Sequence, residues 1–246
     1  MRWRLAVLGL AAYAGALLVT APAGLLDAGF NSASNGSLRL TEAQGGLWSG
    51  AGRLEMRAAN GRALVNQGLR WRLLPGQLLQ AKLAFELQLE LSAQAFVLSL
   101  GSRGIEVVGA DINLPAAALA AAQPKLMPLQ LTGDVSLRIK QLAIASGDWT
   151  GAVTLQWRHA GSALTQVYPL GDYELQLAGE GSAAQVSLVT LHGPLQLDGK
   201  GSLSQGGKLA FTAFARIDPN FRTSLEPLLR LIAVERSDGS FELQLG

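Results

Sequence analysis

The chain has 246 residues, of which 49% are hydrophobic and 15% are charged, and its net charge is +2. The charged fraction is well below the ~25% of ordinary soluble domains, and the absence of long Lys/Arg runs argues against nucleic-acid binding. There is no cysteine, which excludes disulfides and thiol chemistry.

An apolar segment follows a short basic start. Residues 5–26 carry no charge and are preceded by Arg2 and Arg4. Their length suits a transmembrane helix, which needs ~20 apolar residues, and the basic flank predicts that residues 1–4 stay in the cytoplasm. A cleaved signal peptide is the alternative, because residues 21–23 (Ala-Pro-Ala) resemble a cleavage site. Since the apolar run continues past that site, we predict a retained anchor. Either way the remainder is exported, to the periplasm in a bacterium with two membranes.

The rest of the chain has the pattern of an antiparallel β protein. We expect residues 27–44 to form a polar linker with a first short strand, and residues 45–246 to form a periplasmic β domain. Apolar and polar residues alternate strictly in segments 83–91 and 129–140. This alternation predicts strands with one buried and one wet face, as in antiparallel sheets.

Two segments have helical signals. Pro115 opens an Ala-rich run that ends at Ala122, which predicts a short helix. Thr223 and Glu226 have the spacing of a capping box, and Pro227 would fall in the first turn. The apolar residues that follow at helical spacing predict a C-terminal helix packed on the sheet: Leu225, Leu228, Leu229 and Ile232.

Three short motifs occur in the same order in both halves of the chain, and the last of them occurs once more at residues 242–245. Residues 48–51 (Trp-Ser-Gly-Ala) return as residues 149–152 (Trp-Thr-Gly-Ala). A Leu-x-Trp-Arg motif and a Glu-Leu-Gln-Leu motif then follow in each case, at 69–72 and 86–89, and at 155–158 and 174–177. The order indicates one β unit used about twice, although a Leu-rich β chain can also produce such echoes by chance. The prediction is therefore a mainly β fold: an extended, curved antiparallel sheet of two similar halves (about 45–145 and 146–246), with a C-terminal helix and an N-terminal transmembrane helix.

The sequence contains no convincing constellation for chemistry. Residues 179–184 match G-x-G-x-x-A, but the next residues have a strand pattern instead of the helix that a pyrophosphate site needs. The only histidines, His159 and His192, look like turn residues, and a zinc site is improbable without Cys or a His pair. Four carboxylates on predicted solvent faces are better interpreted as solvated strand residues than as a general acid and base: Glu86, Glu90, Asp134 and Glu174. We assign no catalytic, cofactor-binding or metal-binding residue and no cofactor, and we predict that the protein is not an enzyme.

Five packing and turn motifs, spread over nearly the whole chain behind one apolar span, carry a resemblance to a known family. They are Ala21-Pro22-Ala23-Gly24-Leu25-Leu26, Gly46-Leu47-Trp48-Ser49-Gly50, Leu69-Arg70-Trp71-Arg72-Leu73-Leu74-Pro75, Asp111-Ile112-Asn113-Leu114-Pro115 and Pro169-Leu170-Gly171-Asp172-Tyr173. In this order they resemble protein N of the type II secretion system, the general secretion pathway. The resemblance implies a non-enzymatic inner-membrane component that supports export of folded proteins across the outer membrane. It also implies contacts with other inner-membrane secretion subunits and with the outer-membrane secretin.

A second class of protein also fits the pattern. Periplasmic lipid-transport proteins of the AsmA type place a long antiparallel sheet behind one membrane anchor and hold lipid in an apolar trough. The two hypotheses differ in whether an apolar face of the sheet stays uncovered. The predicted C-terminal helix could cover that face, which favours the secretion component.

Overall fold

The computed structural model describes residue 3 and residues 20–57, 61, 63–102, 104–118, 124–204 and 208–245. Most of the predicted transmembrane segment, residues 5–19, lies outside the described residues. Within the described ranges, no helix is long and apolar enough to cross a membrane.

The described residues form one antiparallel sheet of 14 strands. Neighbours in sequence are neighbours in the sheet, except that β14 lies between β12 and β13. The strands are β1 (Leu38–Gly45), β2 (Ser49–Arg57), β3 (Ala63–Leu73), β4 (Lys82–Leu89), β5 (Phe96–Gly101), β6 (Gly104–Pro115), β7 (Leu131–Ala145), β8 (Asp148–Ser162), β9 (Gly171–Gly181), β10 (Ala183–His192), β11 (Leu195–Ser204), β12 (Leu209–Ile217), β13 (Val234–Glu235) and β14 (Phe241–Leu245). The predicted mainly β, antiparallel architecture is confirmed.

Period-two burial produces the core. In β3, every second residue from Val65 to Trp71 is buried while its neighbours are more exposed. In β4, Phe85 and Leu89 belong to the same apolar cluster as Leu69 and Trp71. Because successive strand residues point to opposite faces, this cluster lies on one face of the sheet. The alternation predicted for residues 83–91 is confirmed only in part: β4 ends at Leu89, Ala84 is also buried, and Leu91 lies in the turn after the strand and is exposed.

The structure corrects the predicted linker. Residues 24–33 form helix α1 (Gly24–Ala33), and Leu26 and Phe30 pack against the apolar cluster of the sheet. Residues four apart lie on the same side of a helix, so this spacing gives α1 one apolar side that is buried on the sheet. Residues 24–26, predicted as the end of the transmembrane span, thus belong to α1.

The C-terminal helix is confirmed as α2 (Arg222–Arg230), with Leu225, Leu228 and Leu229 buried against the sheet. Ile232, predicted to share this apolar side, lies in the turn after α2 and is 39% exposed. The predicted capping box does not form. A 3₁₀ helix (Pro219–Phe221) runs directly into α2, which therefore starts before Thr223 and has no side-chain cap at Phe221. Pro227 consequently falls inside the helix and outside its first turn.

The structure also differs from the short helix that was predicted to begin at Pro115. Pro115 ends β6, and of the predicted helix to Ala122 only residues 117–118 are helical among those described. Pro124 begins a 3₁₀ helix (Pro124–Leu129), so Leu129, predicted to open a strand, precedes β7.

Trp71, in β3, is the tryptophan on which the first repeated motif packs. Trp48 and Trp149, which open the two copies of this motif, are both only half-buried. Trp71 is 4% exposed, and its indole N–H donates to the Gly46 carbonyl at 3.1 Å. A Cβ at Gly50 would lie 2.5 Å from the Trp71 ring, so glycine at this position allows β2 to pass close to the indole.

The boundary between the two predicted halves falls in the turn of the β7–β8 hairpin. β7 and β8 pair from Ala145↔Asp148 to Leu131↔Ser162, so the sheet continues across this boundary. In both halves, the Leu-x-Trp-Arg strand pairs with the Glu-Leu-Gln-Leu strand, through Arg72↔Glu86 and Gln156↔Glu174. The first Trp-Ser-Gly-Ala motif lies at the start of a separate strand, whereas the second shares β8 with its Leu-x-Trp-Arg motif. The division into two similar halves stays a prediction.

Candidate protein interface at the C-terminal sheet edge

The outer edge of β1 is covered by hydrogen bonds from α1 and the turn after it. The N–H groups of Leu38 and Leu40 face away from β2, because hydrogen-bonded and non-bonded pairs alternate along the β1–β2 ladder. Ser34 Oγ accepts from Leu38 N–H and Asp27 Oδ1 accepts from Leu40 N–H, each at 2.8 Å. Arg39 holds the Asp27 carboxylate with two hydrogen bonds of 3.0 Å. Covering an edge in this way prevents another strand from pairing with it.

The Asp27 cap makes a pH-dependent contribution to stability. The hydrogen bond from Arg39, followed by that from the Leu40 amide, lowers the pKa of Asp27 below its ordinary value of 3.8. A carboxyl group with a lowered pKa stabilises the fold above its ordinary pKa, and the contribution disappears as the pH falls through the lowered value.

We expect Asp27→Asn to lower the free energy of unfolding at pH 7 and to lose this effect at the acid end of a titration from pH 7 to 2. Denaturant unfolding across the series measures the difference. Asp134→Asn, at a side chain that is 86% exposed, is the control, and a pH-independent difference for Asp27→Asn would rule out the cap.

The opposite end of the sheet is less protected. β13 has two residues and pairs only with Glu242 and Phe241 of β14. Arg236 N–H donates to the Ser240 carbonyl. Since hydrogen-bonded and non-bonded residue pairs alternate along an antiparallel ladder, the main-chain N–H and C=O groups of Glu242 and Gln244 point to the side of β13. Among the described residues, no strand lies opposite Gln244 on that side. β14 therefore presents an unfilled strand position.

Exposed apolar side chains lie next to this position. Leu231 is 69% exposed, Ile232 39% and Val234 73%. They line a surface cavity of about 520 Å³ together with Arg230, Ala233, Glu242 and Gln244. We call Leu231, Ile232, Val234 and the adjoining outer side of Gln244 the C-terminal edge. A contiguous exposed apolar patch of this kind is typical of a binding surface.

A network of ion pairs connects α2 to β13. Glu226 and Glu235 each contact both Arg222 and Arg230, at 2.7–3.5 Å. Exposed pairs of this kind add little stability individually. Their charges compensate one another, and they link α2 to β13, which contributes Val234 to the C-terminal edge.

A second candidate site is an apolar cavity beneath α1. It has a volume of about 290 Å³ and is lined by side chains of α1, β3, β4 and β5 and by Gly29: Leu26, Gly29, Phe30, Leu69, Trp71, Phe85, Leu87, Leu98 and Leu100. This volume is at the lower limit of small-molecule sites, which are ~300–1,000 Å³. The lining carries no charged side chain, so it suits only an apolar guest.

The structure separates the residues that were weighed for chemistry. Residues 179–184 form the turn of the β9–β10 hairpin, and the residues after them form a strand, as predicted. His192 ends β10 before a turn, but His159 lies at a bulge in β8 with φ of 48° and is not a turn residue. Its Nδ1 is 3.9 Å from Asp134 Oδ2, and both side chains are exposed.

The other weighed carboxylates make ordinary hydrogen bonds between and along strands. Glu86 pairs with Arg72 at 2.6 Å, and Glu90 accepts from the Gly68 N–H at 2.9 Å. Hydrogen bonds from Gln156 and Gln176 lower the pKa of Glu174. Across the described part of the chain, no three His, Asp or Glu side chains come together as a possible metal site.

The family comparison agrees with the sequence resemblance. The family of type II secretion system protein N matches residues 36–244, which run from the turn before β1 to Gln244 in β14. No curated protein and no solved structure matches the chain. The matched region contains β1 to β13, β14 as far as Gln244, α2 and the C-terminal edge, and so covers most of the chain. The chain therefore belongs to the type II secretion system protein N family, whose members are components of the secretion machinery.

Proposed function

We propose that the protein is a non-enzymatic inner-membrane subunit of the type II secretion machinery. It supports export of folded proteins from the periplasm across the outer membrane through contacts with other subunits. The family match across the whole sheet supports the assignment to this machinery. The unfilled strand position at the C-terminal edge supports a role in protein–protein contact.

The segment after residue 19 supports a retained membrane anchor. The Ala21 carbonyl accepts a hydrogen bond from Leu47 N–H at 2.8 Å, and Pro22 forms a β-bridge with Gly46. Ala23 is 3% exposed and belongs to the core cluster. Cleavage at residues 21–23 would remove these contacts. In this proposal, residues 1–4 are cytoplasmic, the apolar segment spans the inner membrane and the sheet is periplasmic.

Intact-mass measurement tests the anchor. We expect the protein extracted from membranes to have the mass of the full chain, 25.8 kDa, and to resist extraction by alkaline carbonate. A chain that begins at Gly24 and appears in the soluble periplasmic fraction would show that the N-terminal segment is a signal peptide.

We further propose that an inner-membrane secretion subunit or the secretin adds a strand beside β14 at the C-terminal edge. Strand addition uses the main-chain groups of an exposed edge for affinity and nearby side-chain pockets for specificity. Gln244 supplies the main-chain groups, and the cavity beside Leu231 and Val234 supplies the pocket. The capped edge of β1 makes the C-terminal edge the better acceptor of the two.

Secretion assays test this docking site. We expect the double substitution Leu231→Lys and Val234→Lys to retain exoproteins in the periplasm, the same result that we expect from deletion of the gene, because lysine side chains on an edge oppose strand addition. Both side chains are exposed, so the free energy of unfolding should change by no more than about 0.5 kcal/mol.

Leu164→Lys, at a leucine that is 44% exposed in the loop between β8 and β9, is the matched control and should secrete normally. Normal secretion by the double variant would exclude the C-terminal edge. Normal secretion by the deletion strain, with no secretion subunit co-purifying, would overturn the proposed function itself.

The apolar cavity beneath α1 favours lipid binding as a second candidate function. Mass spectrometry of lipid extracted from the purified full chain distinguishes the two. A carrier of the AsmA-like type would bring stoichiometric lipid, and Leu98→Trp would reduce it by filling the cavity. The secretion-subunit proposal expects no stoichiometric lipid.

A further inference from the structure

We propose that the loop between β3 and β4, residues 74–81, is a second membrane contact that places Leu78 and Leu79 among the lipid headgroups beside the anchor. The inference rests on the membrane anchor of the proposed function. It adds a lipid-facing surface to the folded part of the chain.

The loop exposes apolar side chains that are not part of the buried core. Residues 75–80 form a 3₁₀ helix (Pro75–Gln80) that buries none of its residues. Leu79 is 93% exposed and Leu78 is 49% exposed. Residues 73–81 include no charged side chain, so the loop can approach a bilayer without desolvating a charge.

The charges on either side of the loop are already paired. Arg72 lies 2.6 Å from Glu86, and Lys82 lies 3.1 Å from Glu106. The charge of each cation is therefore partly compensated within the protein. Phosphate groups at that depth can still interact with both side chains, which are 68% and 43% exposed.

Hydrogen bonds connect this loop to the point where the chain leaves the apolar segment. Leu47 N–H donates to the Ala21 carbonyl at 2.8 Å, and Leu73 N–H donates to the Trp48 carbonyl at 2.6 Å. Leu74 N–H then donates to the Ala84 carbonyl at 2.8 Å, which closes the base of the loop. Ala21 and the loop thus lie at the same end of the sheet.

The short connection to the anchor brings that end to the membrane surface. Residues 19 and 21 are two residues apart, which spans at most ~7 Å. The headgroup region on one side of a bilayer is ~5–7 Å thick. An anchor that ends near residue 19 therefore keeps Ala21 within the thickness of the headgroup region.

Site-specific fluorescence tests the contact, because the chain has no native cysteine. Three full-length single-cysteine variants, Leu79→Cys, Leu91→Cys and Ala14→Cys, are labelled with an environment-sensitive NBD dye and reconstituted into phosphatidylethanolamine–phosphatidylglycerol vesicles. Leu91 is the matched control, since it is 42% exposed in the loop between β4 and β5, at the opposite end of the sheet. Ala14 lies in the apolar segment and reports on the anchor.

The proposal predicts that the label at 79 shows blue-shifted emission and quenching by nitroxide lipids labelled at the headgroup, whereas the label at 91 shows neither. The label at 14 should be quenched by nitroxides deep in the acyl chains. If the label at 79 is as accessible to aqueous iodide as that at 91 while the label at 14 is in the bilayer, the loop does not touch the membrane and the anchor stands. If the label at 14 is also in water, the anchor and the loop contact are both wrong.

Discussion

Replacing Phe241 with alanine is expected to lower the free energy of unfolding by ~3–5 kcal/mol. Phe241 is fully buried at the start of β14. It packs in one cluster with Leu225 and Leu229 of α2 and with Ala215 of β12. A loss of this size is a large part of the ~5–15 kcal/mol that stabilises a typical domain, and it would also release α2 from the sheet.

Denaturant unfolding of the full chain in detergent, followed by tryptophan fluorescence, measures the loss. Val234→Ala is the matched control, because Val234 lies on the neighbouring strand and is 73% exposed. That variant should stay within about 0.5 kcal/mol of the parent protein. Equal losses in the two variants would contradict the packing of α2 on β14.

The second large effect is expected at Trp71. Trp71→Ala removes a side chain that is 4% exposed and leaves the Gly46 carbonyl without its indole donor. Loss of a buried tryptophan costs ~3–5 kcal/mol. Trp71→Phe keeps most of the ring contact and removes the hydrogen bond, so its cost is expected to be smaller, at ~1–3 kcal/mol if the carbonyl stays unsatisfied.

Trp157 provides an internal comparison for Trp71. Its indole donates to the Thr132 carbonyl at 3.0 Å, and its ring centroid lies 5.8 Å from that of Tyr173. It is only half-buried, so Trp157→Ala should cost clearly less than Trp71→Ala in the same unfolding experiment. An equal or greater cost at Trp157 would contradict the assignment of Trp71 as the residue around which the β2–β3 region packs.

Local patterns predicted those elements whose burial repeats with a simple period. The strict alternation in residues 83–91 identified β4, and the spacing of Leu225, Leu228 and Leu229 identified α2. Helix α1 was missed because residues 24–26 are continuous with the apolar segment before them. Its two anchoring side chains, Leu26 and Phe30, can be recognised as packing residues only when the sheet beneath them is known.

The C-terminal edge could not be predicted from the sequence, because an edge is a property of strand order. β14 inserts between β12 and β13, and no local pattern in residues 234–245 signals this insertion. The Asp27 cap on β1 could not be predicted either, because it joins two residues that are 13 positions apart across the turn after α1. The Gly46–Gly50 motif was recognised from the sequence, but its packing partner, Trp71, became apparent only from the pairing of β2 with β3.

The measurement that tests the account most directly is site-specific photo-crosslinking in cells that assemble the secretion machinery. A benzophenone amino acid replaces Val234, which is 73% exposed at the C-terminal edge, or Leu91, which is 42% exposed in the β4–β5 loop. The account predicts that illumination links position 234, and not position 91, to an inner-membrane secretion subunit or the secretin, and that Leu231→Lys reduces this product. Adducts to secretion subunits only at position 91, or adducts to lipid alone at position 234, would contradict the C-terminal edge as the contact through which this protein works.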